Sequence, residues 1–269
     1  AGLQATWLSA TLAPGGTESW TWNNANPLDA GYEVGYSPSG GGPTACRFET
    51  VDTSYHQMPG GERKFMFTIK NTGSVTCRTT VLLAARLGGF IGNSGTLSPG
   101  ETQSGFWNFT HDLATTSVQV LGVSPKGAAG AASCQFTVVG TSHRDSPTFG
   151  GLREFHFSLR NSGSIACSAD VYIGSMAPSI VERLNTSIGP GGTQFVTWRD
   201  ANPLTTVYVP MAHQLIGLPP TCHLKIVRSQ YFQTFDSDGL AERRYTVELR
   251  NIGSTTCAQV TVRLGTLTA

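Results

Sequence analysis

Charge is scarce in this sequence. Of its 269 residues 13% are Asp, Glu, Lys or Arg, against roughly 25% in an average soluble domain. Lys+Arg 18 and Asp+Glu 17 leave a formal net charge of +1, so nothing draws the chain to nucleic acid or anionic lipid. Long apolar runs are missing too. The longest, around 81–85, falls far short of the ~20 residues with which a helix crosses a bilayer. Lysine is confined to Lys64, Lys70, Lys126 and Lys225, and 32 glycines with many serines and threonines leave little material for long helices.

Recognisable chemistry is also lacking. There is no Cys-x-x-Cys or Cys-His spacing suited to zinc, no Gly-x-Ser-x-Gly nucleophile elbow and no phosphate loop. Asp236-Ser-Asp238-Gly lacks the later carboxylates of a calcium loop and reads as a solvated turn. The histidines (His56, His111, His143, His156, His213 and His223) are scattered; His56 and His143 fall in comparable turns after Thr53-Ser54 and Thr141-Ser142. The expectation is a non-enzyme with no catalytic residue, no metal site and no cofactor.

What is present is order. Regularly placed Val, Ile, Leu and aromatic residues exclude disorder, and six cysteines fall at Cys46, Cys77, Cys134, Cys167, Cys222 and Cys257, with gaps of 31, 33 and 35 (46→77, 134→167, 222→257). Three such pairs predict three equivalent disulfides and an oxidising compartment. The chain opens on Ala1, as expected of a secreted protein whose signal has been removed.

Equal gaps point to an internal repeat. First cysteines are 88 and 88 apart (46→134→222), second cysteines 90 and 90 (77→167→257). Each second cysteine ends a run that begins at Arg63, Arg153 or Arg243 and passes through Asn71-Thr-Gly-Ser, Asn161-Ser-Gly-Ser or Asn251-Ile-Gly-Ser. A second module leads from Pro14-Gly-Gly-Thr to Trp22, from Pro99-Gly-Glu-Thr to Trp107 and from Pro190-Gly-Gly-Thr to Trp198. Phe65, Phe67 and Ile69 alternate with polar residues, as do Phe155, Phe157 and Leu159, and Tyr245, Val247 and Leu249. This is the period of a half-buried antiparallel strand. Tyr32, Val34 and Tyr36, with Val118 and Val120 as counterparts, predict another. The Asn-x-Gly-Ser segments read as tight turns in which Asn and Gly tolerate positive φ. The fold class expected is all-β: three tandem ~90-residue immunoglobulin-like β-sandwich units, each with one disulfide.

The order of strand, Asn-x-Gly-Ser turn, strand, Pro-Gly turn and Trp strand resembles the immunoglobulin-like repeats of bacterial and archaeal surface proteins, of the cell-adhesion-related (CARDB) type. The residues that carry the resemblance are Asn71-Thr-Gly-Ser, Pro99-Gly-Glu-Thr and Trp107, then Asn161-Ser-Gly-Ser, Pro190-Gly-Gly-Thr and Trp198. It implies an architectural role at a cell surface, and it places the Asn-Gly turn ahead of the Pro-Gly turn within each domain.

That order agrees with linkers at Ser39-Gly-Gly-Gly-Pro-Thr, Lys126-Gly-Ala-Ala-Gly-Ala-Ala and Gly217-Leu-Pro-Pro-Thr. The division expected is a front half-domain (1–45), sandwiches at 46–130 and 131–218, and a back half-domain (219–269). Alternatives are whole domains divided near Gly88 and Ala177, or a front half folding onto the back half of its own chain. A bare half-sandwich exposes strand edges and an apolar face. Completion by a neighbouring molecule would cover both and propagate head to tail. The expected interface comprises Trp7, Trp20, Trp22, Tyr32 and Val34 of the front half with Tyr245, Val247, Leu249, Val260 and Val262 of the back half. The function expected is a secreted structural subunit of an extracellular filament, with itself as partner, no nucleic acid and no membrane span. The alternative is a multivalent glycan-binding lectin or adhesin, with Asn108 and Asn185 heading glycosylation sequons.

Overall fold

The computed structural model describes residues 2–39, 46–110, 117–127, 133–148, 152–201, 204–214 and 221–268. Most of the three expected linkers, and His111, lie outside these residues. The described residues form strands, turns and bends without a helix, so none is long and apolar enough to cross a membrane.

Among the described residues eighteen strands follow one another. The first six are β1 (Gly2–Leu8), β2 (Thr17–Trp22), β3 (Ala30–Ser39), β4 (Cys46–Gln57), β5 (Arg63–Asn71) and β6 (Arg78–Leu87). All pairing is antiparallel: β1 and β3 flank β6, while β2 and β4 flank β5. The same pattern recurs in β7 (Gly89–Asn93), β8 (Thr102–Thr110), β9 (Val118–Lys126), β10 (Cys134–Asp145), β11 (Arg153–Asn161) and β12 (Ser168–Met176). It recurs again in β13 (Ile180–Arg183), β14 (Thr193–Trp198), β15 (Val207–His213), β16 (His223–Phe235), β17 (Ala241–Asn251) and β18 (Thr261–Leu267).

The six-strand units therefore divide near Gly88 and Ala177, and the expected division at the linkers is corrected. Residues 1–45 are not left as a half: β1 and β3 pair with β6, and β2 with β5, inside their own chain. The reason lies in the two recurring turns, which bind each other. The Asn71 side chain donates to the carbonyls of Leu12 and Val75 (2.8 Å each), and Gly15 N–H donates to the Asn71 carbonyl at 2.8 Å. Asn161 and Asn251 do the same for Leu97 and Gly100, and for Ile188 and Gly191. Each asparagine is fully buried, so these bonds hold each Pro-Gly turn firmly on the Asn turn of its own unit.

The turn chemistry differs from expectation in the same place. Positive φ belongs to Gly15, Gly100 and Gly191 of the Pro-Gly turns, whereas the asparagines of the other turn keep ordinary backbone angles. Asn71 shapes its turn by accepting from Gly73 N–H at 2.9 Å, an Asx turn. At Gly253 glycine is needed for closeness: a Cβ would sit 2.0 Å from the Thr221 carbonyl oxygen. In unit 3 β18 starts four residues after Cys257, where β6 and β12 start one residue after their cysteines, and Gln259 in between has φ 50°, the one non-glycine with positive φ among the described residues.

Disulfides join Cys46 to Cys77, Cys134 to Cys167 and Cys222 to Cys257, with Cα–Cα distances of 6.2, 6.2 and 5.1 Å. Each ties the start of β4, β10 or β16 to the segment that enters β6, β12 or β18. On the chain-entropy account a loop of this size contributes about 3–4 kcal/mol.

The three units close into a ring. The last residues of β4 pair with the first of β10 (Gln57↔Cys134), those of β10 with β16 (Arg144↔His223), and those of β16 with β4 (Gln233↔Cys46). Each strand changes partner at its middle, where a β-bulge falls at 50–52, 138–140 and 226–228 against the neighbouring strand of its own unit. Side chains of β6, β9, β12, β15 and β18 form a second apolar cluster between units; it includes Leu82, Val118, Val120, Val207, Val209 and Met211. Leu3 N–H of β1 donates to the Thr268 carbonyl just after β18 at 3.0 Å, a further contact between units 1 and 3.

Candidate functional site

The junctions between units are built from a buried arginine and its neighbours. Arg63 opens β5 beside a run of alternating aromatic residues, so its side chain enters the core with theirs. It is 2% exposed and donates to the carbonyls of Ala25, Pro27 and Ala30 in its own unit, at 2.8–3.1 Å. Its Nη2 and Nε reach the Val123 carbonyl of unit 2 at 2.6 and 3.0 Å. Arg243 repeats this toward unit 1, donating from Nε to the Tyr36 carbonyl at 2.8 Å. Arg153 reaches unit 3, where its Nη2 lies 3.1 Å from His213 Nδ1. The handing on runs 1→2→3→1.

Two junctions share an aromatic lining. The Arg63 guanidinium lies 4.6 Å from the Tyr55 ring and that of Arg243 4.6 Å from Tyr231, a cation–π stack in a desolvated setting. Tyr55 OH accepts from Tyr32 N–H at 3.0 Å and donates to the Leu121 carbonyl; Tyr231 OH accepts from Tyr208 N–H at 2.8 Å. Unit 2 has His143 at the tyrosine position, its Nε2 2.8 Å from Gln119 Oε1. Gln119, not Val118 or Val120, is thus the counterpart of Tyr32. The two valines face the inter-unit cluster instead, which corrects the expected equivalence.

Histidines scattered in sequence gather at the junction of units 2 and 3. His156 and His223 rings are 4.8 Å apart, and His213 Nε2 accepts from Arg263 Nε at 2.9 Å. Burial is the first cause that lowers their pKa values: well down for His143, to about 3 for His213 and to about 4 for His223, with Arg153 lowering the first two further. His56 and His143 do not sit in turns, nor at matching positions: both lie within strands, ten residues after Cys46 and nine after Cys134. Ser54 Oγ is 2.9 Å from His56 Nε2 and Ser142 Oγ 2.6 Å from His223 Nε2. Among the described residues neither imidazole meets a carboxylate that would orient it as a base, and both serines are buried. No group of three or more His, Cys, Asp or Glu able to hold a metal occurs among the described residues.

A cavity of about 210 Å³ lies where the units meet. Its wall repeats threefold: Thr50, Val138 and Ile226 occupy one level, Thr53, Thr141 and Ser229 another. Glu33 breaks the symmetry. It stands on β3 where β9 has Val120 and β15 has Val209, and burial pushes its carboxyl up to about 7.

The front-half residues of the expected interface pack within unit 1 or border the central cavity, and the back-half residues pack within unit 3. Trp7, on β1, packs against Trp20 and Trp22 of β2 with ring centroids 5.5 and 5.8 Å away, all within unit 1. Tyr32 stacks on Phe65 at 5.2 Å, and Val34 borders the central cavity. Tyr245, Val247, Leu249, Val260 and Val262 are buried in unit 3. The two halves of the chain do meet, through Tyr36 against Tyr231 (5.9 Å) and Arg243. The signal for that contact was an arginine at the same place in all three repeats. Asp236 Oδ1 accepts from Asp238 and Leu240 N–H, closing an exposed hairpin turn. Comparison with known protein families, with characterised proteins and with solved structures finds no match for this chain.

Proposed function

We propose that this chain is a non-catalytic, secreted structural protein: three immunoglobulin-like sandwich units, each pinned by a disulfide, closed into a stiff ring that serves as the subunit of an extracellular fibre. Two facing three-stranded layers per unit fit the sandwich reading, and the three disulfides fit an oxidising compartment. The resemblance to surface-protein repeats points the same way.

One observation carries the assembly step. Each strand that closes the ring presents an exposed valine at its bulge: Val51 (46%), Val139 (51%) and Val227 (45%). A threefold set of exposed apolar side chains around the middle of a ring suits coaxial contact with another copy, which covers them. Contact of this kind needs no strand exchange. It replaces half-domain complementation as the route to a fibre, because β1 and β2 already have partners. A lectin would repeat exposed aromatic or amide clusters in every unit. The tryptophans shared by all units, Trp22, Trp107 and Trp198, are partly buried against the core instead.

Light scattering coupled to size exclusion, with negative-stain microscopy of native non-reduced protein, tests this reading. Fibres that vanish when Val51, Val139 and Val227 are all replaced by Asp support it. A monomer at every concentration overturns it.

A further inference from the structure

The repeat positions of Trp7 and Trp20 expose a difference between units. Trp7 pairs with Val81 on β6, and the residue in that place on β7 is Gly92, paired with Val171. Trp20 precedes Trp22 by two, as Gly105 precedes Trp107. Two indoles in unit 1 are thus two glycines in unit 2.

The walls around them are otherwise alike, Phe157, Leu159 and Val171 standing where unit 1 has Phe67, Ile69 and Val81. The result is a groove of about 120 Å³ between β7 and β8. In unit 3, where Glu182 and Val196 hold the two positions, the same place leaves only about 10 Å³. The Phe157 ring closes over Gly105, 2.9 Å from where a Cβ would stand, but the space above Gly92 is open. Phe106, 54% exposed, stands at the rim. Among the described residues both strands that bound the groove have a free edge, β7 pairing only with β12 and β8 only with β11.

We propose that this groove is a docking site for an aromatic side chain carried on an extended segment of a partner protein. Unit 1 is the template for the occupant: on the same floor it holds the Trp7 indole, delivered by an edge strand. An incoming segment can insert its ring above Gly92 and hydrogen-bond to the free edge of β7 or β8, the arrangement of strand addition with one anchoring side chain. The site stands whether or not the chain forms a fibre.

The test uses the full disulfide-bonded chain and two probes, free indole and a synthetic peptide with the sequence of Gly2–Leu8. Amide shifts are followed by two-dimensional NMR. Saturable shifts confined to Gly92, Gly105 and the Phe157 strand are expected, with indole affinity of roughly 1 mM, reachable by a ring of that size. The peptide should bind more tightly than indole. Gly92→Trp, which fills the groove from within as Trp7 does, should weaken both at least about tenfold. Should that variant not fold, intermolecular NOEs from indole to the Phe157 ring in the native chain answer the same question. No saturable shift, shifts spread over all three units, unchanged binding by a folded Gly92→Trp, or a response to methyl glycosides but not to indole would each overturn the proposal.

Discussion

Units 1 and 3 grip the neighbouring unit through an arginine stacked on a tyrosine, whereas unit 2 uses an arginine among histidines. Arg63 and Arg243 spend their donors on main-chain carbonyls and lie over Tyr55 and Tyr231. Arg153 lies 3.5 Å from Asp145 and 3.1 Å from His213, with its pKa lowered to about 10 by burial despite the opposing Asp145. The same backbone register therefore supports two kinds of junction. One is lined by tyrosines; the other is lined by imidazoles that burial holds neutral well below pH 6.5.

The largest effect should come from removing the cation at a tyrosine junction. Arg63→Ala or Arg243→Ala strips hydrogen bonds from several buried carbonyls at once, and should cost about 3–5 kcal/mol in denaturant unfolding. If either change costs no more than an ordinary surface substitution, the arginine is not what joins the units.

Acid should separate the two kinds of junction. The folded pKa values of His143, His213 and His223 lie below the unfolded value of 6.5. Their contribution is therefore complete above about pH 6.5 and is lost as pH falls toward 4 and below. Each added proton would enter beside Arg153, Arg144 or another imidazole. Replacing His143 with Tyr and Gln119 with Tyr copies units 1 and 3, and should return about 2 kcal/mol of the stability lost near pH 4.5. Melting temperatures of the two proteins across pH 4–8 would show it; parallel curves would sink the idea.

Glu33 gives a smaller effect of opposite slope. Its folded value, about 7, lies above that of an unfolded carboxyl, so stability falls as pH rises through roughly 4.5 to 7 and stays low above that. Glu33→Val gives unit 1 the apolar residue that units 2 and 3 carry as Val120 and Val209, and should stabilise the ring by about 1–2 kcal/mol at pH 8, with little change near pH 4. Loss of stability at pH 8 would mean that the carboxylate has a use the apolar equivalents lack.

Much of the fold was legible beforehand. Alternation placed the strand of Phe65, Phe67 and Ile69, and cysteine spacing gave three disulfides joining 46 to 77, 134 to 167 and 222 to 257. The candidate site was far less legible. Arg63, Arg153 and Arg243 were visible as a repeated residue, but nothing local says that a cation will be drawn inside toward carbonyls of another unit. The groove was hidden for a related reason: two isolated glycines, Gly92 and Gly105, mark nothing in the sequence until β7 and β8 are seen to face each other.

Local chemistry was sufficient for whatever depends on neighbours in sequence: strand period, the Pro-Gly turns and the cysteine loops. It could not decide which copies of the repeat join. An Asn-x-Gly-Ser turn presents the same donors to any Pro-Gly turn, and an edge strand accepts any partner of matching pattern. Asn71 could in principle receive the turn of any copy, or of another molecule. Tertiary structure made the choice: Asn71 holds the Leu12 and Gly15 turn of its own unit, and three arginines each reach the next unit around a closed circle.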